Sequence, residues 1–368
     1  MNLTRIKLVA LLVATSFASF AGGGRIDIQA KTDTVKANQN ISANIVQDDT
    51  KALQALIDQC PTNGTVSIPA GTYMIDAVIS LNLKSNMTLK MESGTILKAI
   101  PNSSISYNII KVKGAANINI DGGTVQGERD NHLGTTGEWG MGIGIYGGTN
   151  IKITGVTAKD CWGDGFFVGY HSNTIIFDNV TADNNRRQGL SNSGGNNVLI
   201  KNSTFKNTHG TAPQYGIDIE PDKGFIANDN QIINCQFTGN KGGGIDVNGM
   251  WSTLDNPSTI NNLIITGNTC SDNAQRGMNI VRTTGKHHIY NNICFNNGAN
   301  GINLIRTTGN NVHKNKVYNN TGIGIAMDAG STNNTISGNA VFGNTTGQIT
   351  EVSGNTIKDN KVTPSVQR

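Results

Sequence analysis

Apolar and polar residues alternate with a period of two along most of this chain, in short runs broken by glycine and asparagine. The runs Gly142-Ile-Gly-Ile-Tyr, Gly165-Phe-Phe-Val-Gly, Gly189-Leu-Ser-Asn-Ser, Gly216-Ile-Asp-Ile-Glu, Gly244-Ile-Asp-Val-Asn, Gly277-Met-Asn-Ile-Val, Gly301-Ile-Asn-Leu-Ile and Gly324-Ile-Ala-Met-Asp fit one template: glycine, apolar, variable, mostly apolar, variable. Their glycines lie 23, 24, 27, 28, 33, 24 and 23 residues apart. Between them recur alternating runs that end near Asn, such as NIKITGV, NTIIFDNV and NVLIKNSTF. Period-two alternation between turn residues predicts strands. A repeat this short cannot bury its apolar face alone, so successive repeats must stack. Two or three short strands in about 23 residues predict one coil of an all-β, single-stranded parallel β-helix. Inward Ile, Val, Leu and Phe would form its ladders, and Asn at the turns would bond the coils above and below.

One segment breaks the strand pattern. Asp48–Asp58 is amphipathic with acids at its start, as a helix N-terminus favours. It would cap the open end of the solenoid, which otherwise exposes core and strand edges. The runs GTVSIPAGTYMI and LNLKSNMTLKMESGTILKAI then supply the first coils. Further upstream, Arg5 and Lys7 precede the apolar run Leu8–Phe20, and Ser19-Phe-Ala21 offers a small-x-small cleavage site. That is the pattern of a secretory signal peptide, too short to span a bilayer comfortably. The expected organisation is a signal peptide over 1–21, a linker over 22–44, the β-helix over 45–360 and a tail over 361–368. The mature protein is expected to be secreted or periplasmic, with no membrane segment once the signal is removed.

Composition narrows the picture only slightly. A net charge of +4 permits an acidic partner, but no long Lys/Arg run points to nucleic acid. The five cysteines, Cys60, Cys161, Cys235, Cys270 and Cys294, match no zinc spacing and include no CxxC. They read as small buried apolar residues with at most one disulfide. The sequence does not specify the oligomeric state.

Charge is sparse, at 15% of residues, yet Tyr215-Gly-Ile-Asp-Ile-Glu-Pro-Asp222 holds three carboxylates. If Ile217 and Ile219 point inward, Asp218 and Glu220 point outward. Aligning the glycines stacks Asp246 on Asp218 and Asn248 on Glu220. Neighbouring strands are about 4.8 Å apart, so like charges crowd, and a cation, an Arg or a raised pKa must compensate. Arg186 and Arg187 precede the strand one coil earlier, and Arg276 precedes the strand one coil later. Tyr215 and Asp164 hold the corresponding pre-strand positions. Trp139, Trp162 and Trp251 lie in the surrounding turns and loops, where aromatic walls suit sugar stacking. Asp218, Glu220, Asp246, Arg187 and Arg276 are therefore the candidate catalytic residues. Asp164, Arg186, Tyr215, Trp139, Trp162 and Trp251 are the candidate substrate contacts. A second polar cluster, Glu128–His132 with Glu138, either lines one end of the same groove or is a solvated loop.

The capping helix, GTVSIPAGTY and the Gly/Asn-rich coils together resemble the right-handed parallel β-helices of the pectate-lyase-like superfamily, which includes pectate lyases, polygalacturonases, alginate epimerases and tailspike depolymerases. The chain lacks the Asn-Thr-Asp of polygalacturonases, the Asp-Pro-His of alginate epimerases and the Arg-x-Pro-x-x-Arg of pectate lyases. No named specificity therefore carries over. The resemblance implies an exported enzyme that cleaves a polysaccharide. A lyase acting on a uronate-containing glycan is favoured, with Ca2+ on Asp218, Glu220 and Asp246 if it is calcium-dependent, and Arg187 or Arg276 as base or carboxylate clamp. An inverting glycoside hydrolase using the same carboxylates is the alternative, and a non-catalytic carbohydrate-binding or adhesin-like β-helix the second.

Overall fold

Each template glycine opens a strand that pairs in parallel with the strand one coil away. Ile217 lies beside Ile245, Ile245 beside Met278, and Met278 beside Ile302. The computed structural model describes residues 34–36, 48–249 and 259–363. The signal peptide, most of the expected linker and Trp251 fall outside them. Among the described residues, three parallel sheets of 13, 12 and 11 strands run the length of a single solenoid. Each coil visits the first, second and third sheet in turn, as in Asn196–Lys201, Thr204–Lys206 and Ile217–Ile219. This is the expected parallel β-helix. Its strands continue to Lys361–Thr363, just past the expected boundary, and Thr34–Lys36 adds a strand beside Gly64–Ile68 within the expected linker. Three alternating residues are too few for the pattern to register in the sequence.

The core is the inward half of the alternation. Val66, Leu89, Ile120, Ile153, Phe177 and Ile200 form one ladder, each fully or almost fully buried. Each such side chain contributes about 1.5–3 kcal/mol on leaving water. Phe205 and Phe237 stack 5.3 Å apart at 9° inside the second sheet. Cys270 and Cys294 are register partners on that ladder, and all five cysteines are buried and unpaired.

Asparagine closes the corners. Asn268, Asn292, Asn315, Asn339 and Asn360 stack coil on coil. Each Nδ2 donates to the next Oδ1 at 2.9–3.0 Å, and that oxygen also accepts the preceding backbone N–H. Buried amides are stable only when fully paired, and a repeating corner pairs them by repetition.

The cap is the helix Thr50–Gln59, which lays Leu53 and Ile57 over the first coil. Its acids do more than sit at a helix start. Asp49 Oδ2 accepts the Met74 N–H at 2.8 Å and so ties the helix to the coil below it.

Candidate active site

The outward row of the third sheet runs Phe167, Ser191, Asp218, Asp246, Asn279, Asn303 in consecutive register. The glycine frame therefore stacks Asp218 directly against Asp246, as expected. Their surroundings differ from the expected solvent-facing groove, because Asp218 is only 2% exposed and Asp246 5%. Parity chooses the side of the sheet, but the pre-strand residues then fold over it. Gln188 Nε2 donates to Asp218 Oδ2 at 2.7 Å while its Oε1 accepts the Tyr215 N–H at 2.7 Å. Asn279 Nδ2 donates to Asp246 Oδ1 at 2.7 Å, and Asn303 donates to Asn279 at 2.7 Å. Glu220 is half-buried beside this stack, its backbone N–H bonded to Asn192. Three oxygens, Asp218 Oδ1, Glu220 Oε1 and Asn248 Oδ1, are buried without a protein partner, as is Arg276 Nε. Unpaired buried polar atoms cost stability, and four of them lie on this stretch of the sheet and its flanking corner.

Burial dominates the electrostatics. It pushes the Asp218 carboxyl well above the usual range, and Asp246 and Glu220 push it further, with Arg187 opposing. Burial lifts Asp246 to about 7, with Glu220 adding to the rise while the Asn279 hydrogen bond and Arg276 restrain it. Glu220 and Asp222 are also raised by burial and held back by Arg187. Two stacked carboxyls of this kind hold a proton between them near neutral pH.

The cationic residues reach this space from opposite ends. Arg187 pairs with Asp164 at 3.3 Å and with Glu138 at 3.4 Å, and also donates to Ser191. Burial works against its charge, but Asp164, Asp218 and Glu138 outweigh it and raise its pKa. On the other side Arg276 lies near Tyr215. Burial, then Asp246, raises the phenol pKa, and Arg276 restrains it.

Several expected substrate contacts are engaged within the protein. Asp164 is buried with its carboxylate engaged by the Arg187 guanidinium. Trp162 is covered on both faces, by His132 at 3.9 Å between ring centroids and by the Arg186 guanidinium at 3.7 Å. It is no stacking platform, and Arg186 donates to the Gly137 and Trp162 carbonyls. Tyr215 is buried as well. Trp139 is 47% exposed and remains available. Glu128 and His132 form a buried anchor in which Glu128 accepts from Tyr107 and meets His132 Nδ1 at 3.0 Å, not a solvated loop.

Calcium finds no cage here. Among the described residues no group of three or more His, Cys, Asp or Glu is disposed to hold a metal. One oxygen each of Asp218 and Asp246 is already committed to an amide N–H. A concavity of about 640 Å3 lies elsewhere, at the corner lined by Asn184, Asn207, His209 and Lys241.

Sequence reasoning missed Gln188 and Ser191, and it named Glu138 and Asp222 without joining them to Arg187. Gln188 and Ser191 were within reach of the glycine frame, which puts Gln188 immediately before the template glycine and Ser191 in register with Asp218. Glu138 was not, since nothing in the repeat brings it to Arg187.

Comparison with known proteins agrees with this architecture. The family model for the right-handed β-helix region matches residues 92–257 and 227–363. The protein YclG of Bacillus subtilis (strain 168) is 33% identical over 205 residues, 47% of this chain and 35% of YclG. The chain thus spans about a third of the length of the curated relatives it matches. Among solved structures, the A-module of the mannuronan C-5 epimerase AlgE6 of Azotobacter vinelandii superposes with a TM-score of 0.69 at 18% identity, covering 88% of this chain and 96% of the module. The family 28 exopolygalacturonase of Yersinia enterocolitica gives 0.59 at 16% identity over 91% of this chain and 75% of the enzyme. Likeness at such identity concerns the fold alone. On the matched residues, which make up most of its length, this chain belongs to the family of right-handed β-helix proteins.

Proposed function

We propose that this protein is an exported enzyme that hydrolyses a glycosidic bond of a polysaccharide. The observation that carries the reading is the Asp218–Asp246 stack, buried, in register and next to Glu220, with oxygens left unpaired. The protonated stack is the general acid, donating its proton to the leaving glycosidic oxygen as the C–O bond breaks. Glu220 takes a proton from the water whose oxygen attacks the anomeric carbon. Positions two apart on a strand lie about 6.8 Å apart, within the range for inversion at roughly 6.5–9.5 Å. The polysaccharide-modifying enzymes among the solved neighbours support the substrate class, and the signal-like run Leu8–Phe20 supports export. Among the described residues, no helix is long and apolar enough to cross a membrane.

Hydrolysis stands ahead of β-elimination on charge. A lyase must neutralise a uronate carboxylate, yet Arg187 already faces Asp164 and Glu138. Asp218, Glu220, Asp222 and Asp246 then outnumber the remaining arginine. The lyase reading retains one observation in its favour, the arginines at both ends of the stack. Incubation with a panel of neutral and uronate-containing polysaccharides tests both. New reducing ends without the absorbance of an unsaturated uronate mean hydrolysis, and reducing ends with that absorbance mean a lyase. Binding without either product means a β-helix of the adhesin type.

A further inference from the structure

The third sheet carries a second feature on its outward face, two coils before the acids. Tyr146, Phe167, Tyr170 and Phe225 form a connected aromatic patch. Tyr146 and Tyr170 stack at 5.7 Å and 25°, Tyr146 and Phe167 lie 5.2 Å apart, and Phe225 meets Tyr170 at 5.5 Å. The sequence opens space for these rings. A Cβ on Gly144 would lie 2.7 Å from the Tyr146 ring, and one on Gly169 would lie 2.8 Å from the Phe167 ring. Each ring therefore occupies the space over a glycine of its own strand.

Tyr170 completes the patch at some conformational cost. Its φ is +56°, and that of His171 is +64°. The corner one coil earlier has Gly147 and the corner one coil later has Gly194, both also at positive φ, where glycine is unstrained. Later coils hold Arg282 and Arg306 in the same left-handed conformation at this corner, whereas Tyr170 places a 44% exposed ring there, beside the aromatic floor. An exposed ring continuing an aromatic floor points to a ligand, not to the core.

We propose that Tyr170, with Tyr146 and Phe225 beside it, is a saccharide-stacking subsite that binds the apolar C–H face of a pyranose in the polysaccharide being cleaved. The inference rests on the hydrolase reading and deepens it. Phe167 is in register with Ser191, and Ser191 with Asp218. The patch thus lies about 9.6 Å from the acids at ~4.8 Å per strand, roughly two linked sugars away. Phe225 joins patch to acids through the same segment, its N–H bonded to the Asp222 carbonyl at 2.9 Å. The rim is polar, with Tyr146 Oη donating to Asn108 and Lys111 above the Tyr146 ring, as a sugar's hydroxyls require. The glycan would run along the solenoid axis.

Affinity electrophoresis through native gels containing polygalacturonate, alginate, xylan or dextran tests this, with D218N as the parent so that the glycan survives. The parent should be retarded by at least one of them. Tyr170→Phe should keep that retardation, and Tyr170→Ala should weaken the affinity about fivefold to tenfold. Tyr170→Gly should weaken it equally while unfolding no earlier than the parent, since it relieves the corner. Retardation of Tyr170→Ala equal to the parent's overturns the subsite and leaves the hydrolase reading untouched. No retardation of the parent in any gel overturns both.

Discussion

One outward row of the third sheet carries two chemistries in the same register. At its C-terminal end, Asn303 donates to Asn279 and Asn279 to Asp246, each at 2.7 Å. A few ångströms earlier, Asp218 and Asp246 face each other as buried acids, and Asp218 Oδ1 has no partner. The fold therefore has a ready solution for this position, a self-satisfying amide ladder, and two coils decline it. Stacked buried carboxyls cost stability that amides at the same positions would not. Departures from a repeat's own solution are where function is expected, because local rules are broken where another demand overrides them.

The sharpest way to break the contrast is to extend the amide ladder into the acids. D218N or E220Q keeps shape and removes a proton carrier, so turnover of the native polysaccharide should fall by roughly 10²–10⁴, the usual worth of general acid–base catalysis. Circular dichroism should be unchanged. Full activity in both variants would move the site to the Glu128–His132 region. The opposite operation attacks a true ladder. Asn292→Ala strands the Asn268 N–H and Nδ2, both now bonded to Asn292 Oδ1, and should cost about 3 kcal/mol in chemical unfolding. A loss below about 1 kcal/mol would mean that water replaces the amide, and the ladder would lose its standing as the fold's default.

A smaller effect follows from protonation. Asp246 has an ordinary pKa of 3.8 and is raised to about 7 in the folded protein. The folded state therefore holds a proton that the unfolded state releases. Its stabilising contribution is complete below about pH 3.8 and is lost as pH rises through about 7. D246N cannot titrate, so its melting temperature should exceed that of the native protein by an amount that grows between those pH values. Activity should decline over the upper part of the same window as the general acid deprotonates. A constant difference between the two melting curves would show that Asp246 does not change its proton count on folding.

Much of this contrast could be read from the chain. The glycine frame fixes which side chains share a row, because a period of two leaves a single outward parity, and so Asp218 met Asp246 as expected. What parity cannot specify is what folds over the row. Gln188 reaches Asp218 from the pre-strand corner while accepting the Tyr215 N–H, a matter of turn geometry. Trp162 was misread for the same reason. Its faces are covered by His132 from an earlier loop and Arg186 from the next coil, and no local pattern joins the three. The aromatic floor left a trace in Gly144 and Gly169, small residues on outward positions beside Tyr146 and Phe167. That trace reads as a binding feature only once the rings are seen to lie over them.

The smallest expected effect decides how the acids are used. A calcium-dependent lyase would need Asp218, Glu220 and Asp246 to converge on one cation, yet two of them spend an oxygen on Gln188 and Asn279. Calcium takes about six to eight oxygens, and hard-cation sites keep their carboxylates ionised, whereas burial here favours the protonated form. Assaying the enzyme after exhaustive chelation, with and without added calcium, should therefore give rates that agree within error. In the same assay D218N should be inactive under both conditions, which identifies the acids as proton carriers. A rate that collapses on chelation and returns with calcium would reverse the assignment: the amide donors would have to swing away from the acids, and the stack would be a cation site serving β-elimination.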